Sequence, residues 1–176
     1  MKSPKFVVVG YPRAGKSTLA EFLSEELKRN GLPHEWGDTS TELIDFVAAQ
    51  NNVTVAEINS AKEVWRPKLI ETGDRLTDES PTALSKPILD RGAVVAGVRR
   101  AKELESLRST YVDLVVIWVD RPDHGVIPDN TEIRPEHCDF TVVARDRSEL
   151  RKAALYIVSP LATILHRRVY AATGIK

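Results

Sequence analysis

Three apolar runs stand out along the chain: Phe6 to Val9, Ala93 to Val98 and Leu114 to Val119. Each is short and rich in β-branched residues, with no polar residue inside it. Such runs predict strands buried on both faces, not the alternating strands of a half-exposed sheet. Elsewhere the apolar residues recur three and four apart. Leu19, Phe22, Leu23 and Leu27 predict a helix from about Lys16 to Arg29, stopped by Asn30-Gly31. Similar spacing predicts helices over Thr41 to Gln50, Val55 to Ala61, Thr82 to Arg91 and Lys102 to Arg108, with Thr54 as an N-cap. A helix over 63–76 contains Pro67. Proline is tolerated in a first turn, so its start is expected near Arg66. Leu32 to Trp36 and Phe140 to Ala144 complete the strands. A last helical stretch opens at Ser148, and Pro160 is expected to divide it from a final helix ending near Gly174.

Strands alternating with helices predict a three-layer α/β fold around a mainly parallel sheet. The ligand then belongs beyond the carboxyl ends of the strands. Residues 1–176 read as one domain, large enough for a real core. Residues 37–92 form a mostly helical insertion after the second strand. Residues 121–135, with three prolines and a glycine, read as a lid-like loop.

The turn after the first run carries the clearest chemistry. Gly10-Tyr11-Pro12-Arg13-Ala14-Gly15-Lys16-Ser17 fits G-x-x-x-x-G-K-[ST] at every defined position. Its glycines let backbone N–H groups turn toward an anion at a helix N-terminus. Gly10, Arg13, Ala14, Gly15, Lys16, Ser17 and Thr18 are therefore the expected triphosphate contacts. Lys16 would reach the β- and γ-phosphates, and the Ser17 hydroxyl would ligate Mg²⁺. The expected cofactors are ATP and Mg²⁺.

Composition narrows the rest. The chain has 25 basic and 25 acidic residues, so no global field favours nucleic acid or an anionic membrane. No stretch reaches the ~18 apolar residues of a membrane span. One cysteine, Cys138, forms no disulfide framework and reads as an inert thiol. The N-terminus enters the first strand at once, so no signal peptide is expected and a cytoplasmic location is. The four histidines lack metal-ligand spacing. No N-K-x-D stretch is present to read guanine, which argues against a GTPase. A short chain with a helical insertion suits a small kinase. It must hold a second substrate opposite the triphosphate and cover both.

Beyond the P-loop, the chain resembles the deoxynucleoside monophosphate kinases of bacteriophages, within the nucleoside monophosphate kinase group. The resemblance rests on five stretches. They are Trp36-Gly37-Asp38-Thr39-Ser40-Thr41-Glu42; Arg66-Pro67-Lys68-Leu69 with Gly73-Asp74; Val94 to Gly97 with Arg99 and Glu103; Val119-Asp120-Arg121-Pro122; and Asp139-Phe140-Thr141-Val142-Val143 before the helix at Ser148. Two departures stand out. The family often has an aspartate where Gly97 stands, which would hold the Mg²⁺ shell through water. It often has a lysine where Thr41 stands. Asp38 or Asp74 is a candidate to compensate.

The resemblance implies transfer of phosphate from ATP to a (deoxy)nucleoside monophosphate, a step that asks mainly for positioning and charge stabilisation. Lys16, Arg13, Arg99 and Arg121 are the expected catalytic cations. Asp38, Arg66, Asp74, Arg99 and Glu103 are the expected acceptor contacts. Guanidinium forks match phosphate bidentately, which favours Arg66 and Arg99. Of Arg99 and Arg100, the resemblance picks Arg99. Glu103, one turn on, either orients that arginine or forms an exposed pair. Asp38 is equally a helix N-cap, and Asp74 a surface partner of Arg75. Arg121 would clamp the triphosphate, with Arg134 helping from the far side. The loop from Ala144 to Arg147 would flank the adenine. Trp36 and Trp65 read as packing or as stacking on a base, and Trp118 as core. Leu161, Ile164, Leu165 and Val169 beside His166 make an amphipathic end, either docked on the body or a homodimer contact. Other readings stay open: a kinase for another small acceptor or a modified DNA base, or a nucleotide-binding protein without catalysis. No stable nucleic-acid partner and no membrane are expected.

Overall fold

The computed structural model describes residues 4–124 and 131–173, and side chains in the last helix as far as Pro160. Five strands form one sheet: β1 (Lys5–Gly10), β2 (Trp36–Asp38), β3 (Val94–Ala96), β4 (Leu114–Asp120) and β5 (Phe140–Val143). Their order is β2-β3-β1-β4-β5, and all four pairings are parallel. The order reverses at β1, so the loop after β1 opens at the switch point where α/β sheets bind ligands.

The valines of β1 explain why it is central. Phe6 and Val8 face one layer, Val7 and Val9 the other, and none of the four is exposed. On the first face lie α1 (Lys16–Arg29) and α7 (Arg147–Thr173), joined through Leu19, Leu23, Leu150 and Ala154. On the second lie α5 (Ser85–Arg91) and α6 (Ala101–Thr110), through Ile88, Leu89, Leu104 and Leu107. Each fully buried aliphatic side chain contributes roughly 1.5–3 kcal/mol. Beyond β2, α2 (Thr39–Asn51), α3 (Val55–Ser60) and α4 (Lys62–Glu79) share a smaller cluster built on Ile44, Val47, Ile58 and Leu69.

The second strand is Trp36–Asp38, not Leu32 to Trp36. Leu32 instead packs against the core from the turn. Pro67 does not start its helix. α4 begins five residues earlier at Lys62 and runs through the proline. The ring removes one backbone bond, while burial of Leu69 and Thr72 keeps the helix whole. Pro160 likewise lies inside one continuous α7 and divides nothing. The stretch 82–91 splits into a turn and the short α5. The lid-like region holds 3₁₀ turns at Pro122–His124 and Pro135–His137. Its middle, with Gly125 and Pro128, lies outside the described residues, as do the side chains of His124, Leu161, Ile164, Leu165, His166 and Val169. Among the described residues no helix is long and apolar enough to cross a membrane.

Candidate active site

The loop from Gly10 to Lys16 is shaped for an anion. Gly10 has φ +146°, and a Cβ there would lie 2.4 Å from the Val119 carbonyl oxygen of the paired strand. Only glycine fits so close to β4. Arg13 (φ 63°) and Gly15 (φ 99°) are also left-handed, which curls the loop into a concave run of N–H groups. Gly15 is the N-cap of α1 and brings no side chain to close the helix end. The first N–H groups of α1 are thus left for a ligand. Lys16 Nζ donates to the Tyr11 carbonyl at 2.8 Å, which folds the side chain back over the loop. Tyr11 is itself held edge-on against Trp118, with ring centroids 5.1 Å apart.

A cavity of about 560 Å³ opens beside this loop. Its walls come from the P-loop, α2, α4 and the segment after β3. Arg13, Lys16, Ser17, Asp38, Arg66, Asp74, Arg99 and Glu103 all line it. The structure therefore brings all five expected acceptor residues to one place. Lys62 adds a cation that the sequence reading missed, and Arg100, set aside there in favour of Arg99, lines the cavity beside it. Leu43, Ile44, Leu69, Ile70 and Leu84 add apolar surface to the lining. Neither Trp36 nor Trp65 lines the cavity. Trp65 packs on the small cluster of α2 to α4, and Trp36 is partly exposed elsewhere.

Several of these residues do more than one job. Asp38 caps α2: its Oδ1 accepts from Ser40 N–H at 2.9 Å and from the Ser40 hydroxyl. Its Oδ2 accepts from the Ser17 hydroxyl at 2.9 Å. The two are 21 positions apart in sequence, so no local signal announces the contact. Arg66 pairs at 3.6 Å with Glu63 on its own helix. Asp74 is not the partner of Arg75, which pairs with Glu79. Asp74 instead accepts from Arg100, which also reaches Asp78 at 3.4 Å. Arg100 thus ties α4 to the turn after β3, across the cavity.

Glu103 is not in an exposed pair: it is 5 % exposed. Its carboxyl accepts from the Arg99 backbone N–H and lies near Arg100. Burial pushes its pKa up to about 7, against the smaller downward pulls of Ser85, Arg99 N–H and Arg100. Ser85 is wholly buried beside it, and its Oγ completes no well-aligned hydrogen bond among the described residues. Glu132 binds the same turn from the other side. Its carboxylate accepts from Ala101 N–H at 3.0 Å, and its own N–H donates to the Arg99 carbonyl at 2.8 Å. Arg134 turns inward to the Thr131 and Ile133 carbonyls and does not line the cavity.

A second, smaller groove of about 80 Å³ lies on the far side of the P-loop. Ala14, Gly15, Thr18, Arg121 and residues 144–147 line it. The turn leading into α7 is fixed by reciprocal caps. Glu149 accepts from Arg145 N–H at 2.6 Å, and Asp146 accepts from Glu149 N–H at 2.9 Å. Arg121 Nε is buried and meets no hydrogen-bond partner among the described residues. Cys138 belongs to neither cavity. Burial, with help from Asp139, pushes its thiol up to about 11, which keeps it unreactive.

No protein-family model matches the chain, and no characterised protein matches it in sequence. Among solved structures it is similar to a gluconokinase from Sinorhizobium meliloti 1021. The identity is 16% and the TM-score 0.49, with 94% of this chain and 97% of that one covered. It is also similar to an unliganded sugar kinase from Janibacter sp. HTCC2649. There the identity is 14% and the TM-score 0.46, over 92% of this chain and 98% of that one. At these values neither likeness carries an acceptor over to this chain.

Proposed function

We propose that this chain is a P-loop phosphotransferase that moves the γ-phosphoryl group of ATP to a (deoxy)nucleoside monophosphate. The observation that supports this most is the composition of the large cavity. Arg13, Lys16, Arg66 and Arg99 bring cations to its lining, and Leu43, Ile44, Leu69, Ile70 and Leu84 bring apolar surface. A ligand with an anionic end and a flat, apolar end satisfies both. A polyol acid would set hydroxyl groups against that apolar surface, which is costly for hydroxyls without partners.

In this reading the triphosphate lies in the P-loop nest, with adenine toward the groove at residues 144–147. Lys16 and Arg13 stand at the junction of the two sites, where charge develops during transfer. Arg66 and Arg99 hold the acceptor's phosphate bidentately. Arg121 approaches the triphosphate from the groove beside Gly15 and Thr18. Ser17 would hold Mg²⁺, which would supply neutralisation of the charge that develops on the phosphates. Both substrates are small molecules, and the reading calls for no nucleic acid or membrane. A cytoplasmic location suits it.

The test is an ADP-release assay with Mg-ATP and a panel of deoxy- and ribonucleoside monophosphates, gluconate and other sugar acids. Lys16→Met serves as the blank. Turnover with at least one monophosphate, lost by at least about 100-fold in the variant, is expected. Turnover with a hydroxyl acceptor alone, or with none, overturns the proposal.

A further inference from the structure

The strand tip at Gly97 offers no acid to the metal shell, yet the space beside the P-loop serine is not short of a carboxylate. Asp38 stands at the tip of the neighbouring strand β2, paired in register with Ala96 of β3. Its Oδ2 takes the Ser17 hydroxyl proton at 2.9 Å, which leaves the Ser17 oxygen lone pairs for a cation. Its Oδ1 is committed to capping α2 at Ser40, so the carboxylate is held in one orientation. Gly97 is the other half of the arrangement. It has φ +94°, and a Cβ there would lie 2.5 Å from Thr39 Oγ1 and 3.2 Å from Asp38 Oδ1. Thr39 is buried and has little freedom to retreat. A side chain at the tip of β3 and the Asp38–Thr39 turn at the tip of β2 therefore exclude one another.

We infer that Asp38 is the carboxylate of the Mg²⁺ shell, supplied from the tip of β2, and that Gly97 is glycine to make room for it. The inference rests on the P-loop reading, not on the identity of the acceptor. The donor set fits. Both groups offer hard oxygens, and Mg²⁺ is ordinarily held by one or two carboxylates together with substrate phosphates. Substrate phosphates and water would complete the shell. Asp38 would act in the outer shell, by orienting the Ser17 hydroxyl and accepting from metal-bound water.

The test uses the full chain with Mn²⁺ as the probe, read by electron paramagnetic resonance in the presence of a non-hydrolysable ATP analogue. Asp38→Asn and Asp38→Ser both keep an N-cap for α2 while removing the charge. Mn²⁺ affinity in the ternary complex is expected to fall by roughly 10- to 100-fold, while binding of the analogue in EDTA stays within about twofold. Gly97→Ala is expected to produce the same loss by displacing Asp38, with folding checked by circular dichroism. Unchanged Mn²⁺ affinity in both Asp38 variants overturns the inference. So does intact Mn²⁺ affinity with abolished transfer to a hydroxyl acceptor, which would make Asp38 a general base. Failure of the wild-type chain to bind the analogue, with or without metal, overturns the P-loop reading as well. Normal metal binding without nucleoside monophosphate turnover overturns only the acceptor.

Discussion

A single carboxyl group, that of Glu103, sets a pH dependence of its own. Its folded pKa of about 7 exceeds the ordinary 4.5 because burial disfavours the charge. Below pH 4.5 the group is protonated in both folded and unfolded chains and costs nothing. Between 4.5 and 7 the unfolded chain loses that proton more readily, so stability falls as pH rises, and levels off above 7. Glu103→Gln should remove that slope. Against wild type it should gain on the order of 3 kcal/mol at pH 8 and nothing near pH 4, read from urea midpoints at the two values. A wild-type midpoint that rises between pH 5 and 7, relative to the variant, would refute the assignment. Glu103 was expected at the acceptor site on the family resemblance, and it lines the cavity. Its burial was not legible in the sequence, because Ser85 and the Arg99 backbone reach it only through the fold. The Ser17–Asp38 contact was hidden for the same reason, while the P-loop lysine and glycines were plain from a local pattern.

Among the elements, those with one unambiguous period were readable and those with mixed signals were not. The sheet-centre strands β1 and β4 are unbroken apolar runs, and their bounds came within a residue or two. Strand β2 is three residues long, begins with a partly exposed tryptophan and ends in an acid, so only pairing with β3 defines it. Pro67 misled because burial of Leu69 and Thr72 outweighs the loss of one backbone bond. The contact between α4 and the turn after β3 was equally invisible, since Arg75 rather than Arg100 looked like the partner of Asp74. That bridge is partly exposed and should add at most about 1 kcal/mol to stability. Its expected importance is geometric. Arg100→Ala should raise the acceptor's KM several-fold with little change in the KM for ATP, as initial-rate kinetics on both substrates would show. An equal rise for both substrates would assign Arg100 to the triphosphate instead.

Across the whole molecule, the layered parallel sheet was evident from the alternation of runs and helical spacing, and the cavity from the rule that ligands sit beyond strand ends. What the alternation did not reveal is that the described residues form three apolar clusters, not one. Two of them sandwich the sheet and hold the loop after β1. The third, around Ile44, Val47, Ile58 and Leu69, belongs to α2, α3 and α4 alone. A cluster that small can open while the sheet stays closed. Amide hydrogen exchange should therefore be faster over residues 39–79 than over β1 and β4, and should slow when the acceptor binds. Uniform protection across both regions would refute a separate opening. On the proposed function, the two substrates would then meet the protein on different clocks: ATP would enter a finished mould, and its partner one that sets around it.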